Sequence, residues 1–341
     1  MSISRRTFIK ATSTSAAALV AAPAVHAASR VLTSKLILGQ GEYKFQLIHD
    51  WLTPPDGLAW GDTHGLCQDA DGRIYVAHTV HGSSESPHAV AVFDHAGKFI
   101  TSWGKQFRGG AHGLDIRKEN GQEFLYHCDS RRRVIVKTDL KGETVWQTGW
   151  PSESGHYESQ DRFCPTNVAF APNGDFFVGD GYGSSYIHRY TADGTYIKTI
   201  AKPGSDKGQV SCPHGLWIDD RSGQPLLVVA DRSNRRIQYM TLDGEHLSFV
   251  TDGVRLPCHF KIRGELMLVP DLESVVTLFD ADNKPVAHIG DGHPSKLRGA
   301  PRDRFIQDKF IHPHDAIFLP NGDILVAEWV PIGRITLLKR V

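Results

Sequence analysis

The feature that most restricts this chain is a short motif that returns six times: His64-Gly65-Leu66, His112-Gly113-Leu114, Thr166-Asn167-Val168, His214-Gly215-Leu216, His259-Phe260-Lys261 and His314-Asp315-Ala316. Successive motif residues stand 48, 55, 47, 45 and 55 positions apart. Between them, short apolar or β-branched runs such as 73–77 and 323–327 alternate with the turn dipeptides Asp71-Gly72, Asn173-Gly174, Asp193-Gly194, Asp243-Gly244 and Asn321-Gly322. Such dipeptides supply the positive φ of tight hairpins. A repeat of about 50 residues with several short strands predicts an all-β fold of radial sheets, a six-bladed β-propeller. The segment Tyr43 to Trp51 precedes the first motif and is expected to give the last blade its outer strand, closing the ring. No helical period of any length and no Gly/Ser linker interrupts the pattern, so one domain is expected over residues 29–341.

Composition agrees: 33 Gly and 18 Pro favour turns over long helices. With 38 basic and 38 acidic side chains the chain has no net charge, which argues against nucleic acid or an anionic membrane surface as partner. Residues 1–28 read as a twin-arginine signal peptide: Ser4-Arg5-Arg6-Thr7-Phe8-Ile9-Lys10, an apolar run from Ala16 to Val25, and a small-residue cleavage site at Val25-His26-Ala27. The expectation is a soluble periplasmic or secreted protein. Five cysteines, an odd number, leave at least one thiol outside any disulfide.

In a propeller the first strand of each blade lines the central channel, so residues of one phase converge on the axis. Five of the six motif positions are His. Neutral imidazoles gathered there suit Zn²⁺, which accepts three His and leaves a fourth position for water or substrate. The plainer expectation is that they hydrogen-bond neighbouring carbonyls and fill the channel. Cys212 and Cys258 stand two and one residues before channel histidines, where a soft metal could recruit them, although buried packing is their simpler role. Arg131-Arg132-Arg133 reads as a solvated loop. The chain carries no phosphate-cradling Gly loop, no Gly-x-Ser-x-Gly elbow and no HExxH.

Ala230-Asp231-Arg232-Ser233-Asn234-Arg235-Arg236-Ile237, Asp180-Gly181-Tyr182 and the Pro-His-Gly-Leu openings resemble NHL-repeat propellers. Within these, the stretches Phe163-Cys164-Pro165-Thr166-Asn167-Val168 through Tyr182, Cys212-Pro213-His214-Gly215-Leu216 through Gln238, and His312-Pro313-His314-Asp315 are similar to the peptidyl-α-hydroxyglycine α-amidating lyase family. The resemblance implies zinc on His112, His214 and His314, an arrangement that alternate blades of six would place about 120° apart. His64 and His259 are then left to support the ligating imidazoles, to bind a second metal or to contact substrate. It also implies a structural Ca²⁺ on the Asp315 side chain and the carbonyls of Leu66 and Leu114. Tyr182 matches the family's general base and Arg232 an active-site arginine, for cleavage of an α-hydroxyglycine-type amide to an amide and glyoxylate. An adjacent cation, Zn²⁺ or Arg232, is expected to lower the phenol's pKa.

Three positions depart from that family. Thr79, beside His78, stands where the family has its carboxylate-binding arginine. Cys164 has Gly183 at its disulfide-partner position, and His312 replaces a methionine. The expected partner is a small-molecule or peptide substrate. Two other functions compete: a non-catalytic propeller binding a peptide, glycan or protein, and a metal-dependent lactonase or hydrolase.

Overall fold

A computed structural model describes residues 32–341. The twin-arginine motif and the boundary at residue 28 lie outside the described residues. The chain from 32 onward forms six sheets, antiparallel apart from the short parallel pairing of Gln209–Val210 with Tyr196–Pro203, and together they make a six-bladed propeller. The innermost strands are Thr63–Gln68, Ala111–Glu119, Asn167–Phe170, Pro213–Asp219, Lys261–Arg263 and Pro313–Phe318. Each turns back through a hairpin, as at Gly72, Gly174 and Gly322, whose φ angles of 83°, 102° and 95° suit glycine. The last blade, blade 6, is closed from the other end of the chain. Its third strand, Arg334–Arg340, pairs with Tyr43–His49, Phe45 standing opposite Arg340, and Leu32–Gln40 adds a fifth strand outside.

The middle strands are buried on both faces because blades stack face to face. Successive side chains serve different neighbours. In Ile74–His78, Ile74 and Val76 pack with Ile317, Leu325 and Ala327 of blade 6, while Tyr75 and Ala77 pack with Leu114, Leu125 and Val136 of blade 2. Six apolar clusters result, one at each interface; Phe176 and Val178, for example, sit against Tyr126 and Ile135, and Phe260 and Met267 against Val228 and Ala230. Fully burying one such side chain contributes about 1.5–3 kcal/mol, so the ring is held by its interfaces.

A polar device repeated across the blades aims the innermost strands. A side chain at the end of the second strand accepts the backbone N–H three residues before the channel position: His78 from Gly61 (3.3 Å), Asp180 from Cys164 (2.6 Å), Asp231 from Ser211 (2.6 Å), Asp271 from Leu256 (2.8 Å) and Glu328 from Ile311 (2.6 Å). Only blade 2 departs; there Asp129 holds Arg131 and Arg132 instead.

Candidate metal centre

His64, His112, His214 and His314 each occupy the second position of an innermost strand, and all four are buried. Their rings meet on the axis. Ring centres of His112, His214 and His314 are 4.7–4.9 Å apart, and His64 lies 4.5 Å from His112 and 4.6 Å from His314. The space between them is about 10 Å³, enough for one atom-sized guest.

Three of these rings are fixed by carbonyls of other blades. Nδ1 of His112 donates to Thr166 O (2.7 Å), that of His214 to Cys258 O (2.8 Å) and that of His314 to His64 O (3.0 Å). A carbonyl only accepts, so the proton sits on Nδ1 and the Nε2 lone pair is left for a ligand. Burial holds His112 down at about 3, and burial with the neighbouring positive groups holds His64, His214 and His314 well below 6.5. Neutral, carbonyl-anchored imidazoles are what a zinc-type ion requires, so these residues fit such an ion.

Tyr182, in the loop after Phe176–Gly179, stands over the cluster. The residue is 41% exposed, while its hydroxyl reaches down to Nε2 of His214 (3.0 Å) and of His112 (3.3 Å). Arg232, on the short turn Arg232–Asn234, brings Nη1 to 3.4 Å from that hydroxyl and Nη2 to 3.1 Å from Cys212 Sγ. Burial nonetheless raises the phenol to about 12, against the pull of Arg232, so the guanidinium alone does not make Tyr182 a base near neutral pH.

The other end of the channel differs from expectation. His259 does not join the ring of imidazoles; its Nε2 meets Asp115 Oδ2 at 3.0 Å and Asn167 Nδ2 at 3.2 Å. Asp115 also pairs with the ammonium of Lys261, which lies over Trp217. Burial would raise Asp115, but Lys261 and His259 hold it below the ordinary carboxylate range. Asp315 spends both oxygens on backbone donors, Leu66 N–H (2.7 Å) and Ala316 N–H (2.8 Å), and burial lifts it to about 6. With a buried ammonium already serving this end, these residues do not fit calcium. Asp115 and Lys261 escaped the sequence reading, yet each is the one charged residue at its phase: Lys261 aligns with Leu66, Leu114, Ala169, Leu216 and Ala316, and Asp115 with Cys67, Phe170, Trp217, Ile262 and Ile317.

Thr79 accepts Asp62 N–H (2.9 Å), and His312 Nδ1 donates to Leu272 O (2.6 Å) beside Trp329. All five cysteines are free; Cys164 is buried against Ser130 O, and a Cβ on Gly183 would run into Asp180.

No family model matches the chain. A probable peptidyl-alpha-hydroxyglycine alpha-amidating lyase of Caenorhabditis elegans is 33% identical over 154 residues, 44% of this chain and 42% of that protein. Peptidyl-alpha-hydroxyglycine alpha-amidating lyase 1 of Drosophila melanogaster is 28% identical over 301 residues, 80% of this chain and 52% of that protein. The chain is an NHL-type propeller that resembles the amidating lyases. Peptidyl-glycine alpha-amidating monooxygenase B of Xenopus laevis is 27% identical over 263 residues, and this lyase-like propeller spans 28% of its length. It thus covers about half or less of each of these relatives.

Among solved structures, a streptogramin B lyase superposes with a TM-score of 0.57 at 14% identity, over 86% of this chain and 98% of that one. Virginiamycin B lyase from Staphylococcus aureus gives 0.55 at 14%, over 87% and 100%. A nidogen/laminin complex gives 0.54 at 17%, over 76% and 92%. These likenesses concern the fold alone.

Proposed function

We propose that this protein is an exported, metal-dependent lyase that breaks the C–N bond of an α-hydroxylated amide, with a peptide or small molecule as substrate. The observation that carries the reading is the meeting of anchored neutral imidazoles, the Tyr182 hydroxyl and the Arg232 guanidinium at one point of the channel. Likeness to the amidating lyases supports the reaction class, and the Ser4–Lys10 motif supports twin-arginine export. On the likeness to the amidating lyases, His112, His214 and His314 would hold the ion, with His64 beside them.

The reaction is an internal elimination. The substrate hydroxyl loses its proton and becomes the carbonyl of glyoxylate, while the C–N bond breaks with its electron pair on nitrogen, which takes a proton and leaves as the amide. No water is consumed. A bound zinc-type ion supplies a positive charge that acidifies the substrate hydroxyl and the phenol beside it. Tyr182 stands where it can take the hydroxyl proton and return it toward the leaving nitrogen. Arg232 has no carboxylate partner among the described residues. With Thr79 in place of an arginine, it is the cation at hand for the substrate's carboxylate.

The test is glyoxylate release from a peptide ending in α-hydroxyglycine, using mature protein expressed with ample metal. Turnover is expected to stop on chelation and to return with zinc. Tyr182→Phe is expected to lose about 10²–10⁴-fold in kcat while retaining its metal. Metal-replete protein that releases no glyoxylate, or that opens a lactone by adding water instead, would overturn the assignment.

A further inference from the structure

Blade 5 breaks the pattern of the channel. Its phase histidine, His259, turns toward Asp115, and the residue before it, Cys258, lines the space between the other imidazoles. One nitrogen each of His214 and His314 and the sulfur of Cys258 all lie within 4.8 Å of one another, and all three residues are buried. Ligand distances of 2.0–2.1 Å for imidazole and 2.3 Å for thiolate place such donors roughly 3.3–3.8 Å apart around a tetrahedral ion. The three atoms therefore need to draw in by no more than about 1.5 Å, a distance within reach of small χ rotations.

We propose that Cys258 is a metal ligand and takes the place that the likeness to the amidating lyases gives to His112, so that the channel holds its ion through two imidazoles and one thiolate, His214, His314 and Cys258. This rests on the reading that the channel binds a metal, and it specifies which kind: a thiophilic ion such as Zn²⁺ or Co²⁺, in preference to a hard one.

Three further observations support the assignment. The Cys258 carbonyl holds Nδ1–H of His214 at 2.8 Å, so a single residue both orients one ligand and offers another. The sulfur has only loose contacts of its own, Leu256 O at 3.8 Å and Arg232 Nη1 at 4.0 Å. The guanidinium that touches it also lies 3.1 Å from Cys212 Sγ, placing a positive charge where a thiolate would need one. A second triplet, His64, His112 and His314, is close enough to compete. Because Nδ1 of His314 is committed to the His64 carbonyl, its single remaining lone pair can serve only one triplet at a time.

Cobalt distinguishes the two, because a thiolate bound to Co²⁺ gives an intense near-ultraviolet charge-transfer band that imidazole does not. Metal-free protein titrated with Co²⁺ is expected to develop this band and saturate at one equivalent. Cys258→Ser is expected to lose the band and to bind Zn²⁺ at least tenfold more weakly, with its far-ultraviolet circular dichroism unchanged. Cys212→Ser is expected to retain the band. Cobalt that binds wild-type protein without the band, or a band that survives in Cys258→Ser, would overturn the thiolate assignment and leave the lyase reading standing on the imidazoles. Protein that binds neither Co²⁺ nor Zn²⁺ would overturn both.

Discussion

Gly113 and Gly215 each follow a channel histidine, and each has a role that glycine alone can fill. A Cβ on Gly113 would stand 2.3 Å from Thr166 O, and one on Gly215 2.2 Å from Cys258 O. Those are the carbonyls that hold His112 and His214. Removing the side chain lets the neighbouring blade approach closely enough to fix the imidazole. Gly113→Ala is therefore expected to cost about 1–3 kcal/mol in urea unfolding and to weaken metal binding, whereas Gly149→Ala, with nothing within 4 Å, should be near neutral. At the other end of the channel, Lys261 supplies the cation that balances Asp115 and Asp315. Calcium is expected to leave the wild-type Tm unchanged. Lys261→Met is expected to lower Tm by removing the ammonium from Asp115 and leaving it only His259 and Asn167 as partners, and added calcium to recover part of the loss; a calcium-dependent Tm in the wild type would contradict this. The channel histidines were legible because one residue type recurred at one phase. Asp115 and Lys261 were not, since a single charged residue in a phase of apolar ones carries no repetition to notice.

Strands and hairpins follow closely from the sequence because turn chemistry and alternation are local. The Asp-Gly and Asn-Gly turns fall between the paired strands expected, and Tyr43–His49 takes its place beside Arg334–Arg340. The anchor that joins the end of each second strand to the loop before the channel was not legible in this way. It depends on a side chain meeting a backbone N–H about 15 to 20 positions away, and neither end looks unusual in one dimension. Its energetic weight is testable in blade 5, where Asp271 accepts from both Arg255 (2.9 Å) and Leu256 (2.8 Å). Asp271→Ala strands these two donors and the N–H of Glu273, which Asp271 also accepts, and is expected to destabilise by about 1–3 kcal/mol. Because that loop leads directly into Cys258, a shift of the cobalt spectrum should accompany the loss; an unchanged Tm would show the anchor to be incidental.

Over the whole molecule, histidine is used for more than the channel. His49 is held near 4 and His78, His127 and His188 near 3, each chiefly by burial. His49, His127 and His188 bond the hydroxyls of Thr336, Thr138 and Thr199, and His78 accepts backbone N–H groups. As pH falls below about 6.5, these four take up protons in the unfolded chain but not in the folded one, which costs about 1.4 kcal/mol per pH unit for each group. Asp180 and Asp315, lifted to about 6 by burial, act in the opposite direction between about pH 4 and 6. Four outweigh two, and in metal-free protein the channel imidazoles add to the four. Thermal melts of metal-free protein are expected to show a clear drop in Tm from pH 6.5 to pH 5; a flat or rising Tm would exclude this balance.

Because the seam of the ring joins Phe45 to Arg340, Tyr43–His49 cannot reach its place until a strand almost 300 positions later in the chain has been made. Folding of this molecule is thus not a process that can run to completion from one end. Five sheets can assemble as they emerge, but the sixth is a latch, and the circle gains its full resistance to unravelling only when its two distant segments, Tyr43–His49 and Arg334–Arg340, lock together.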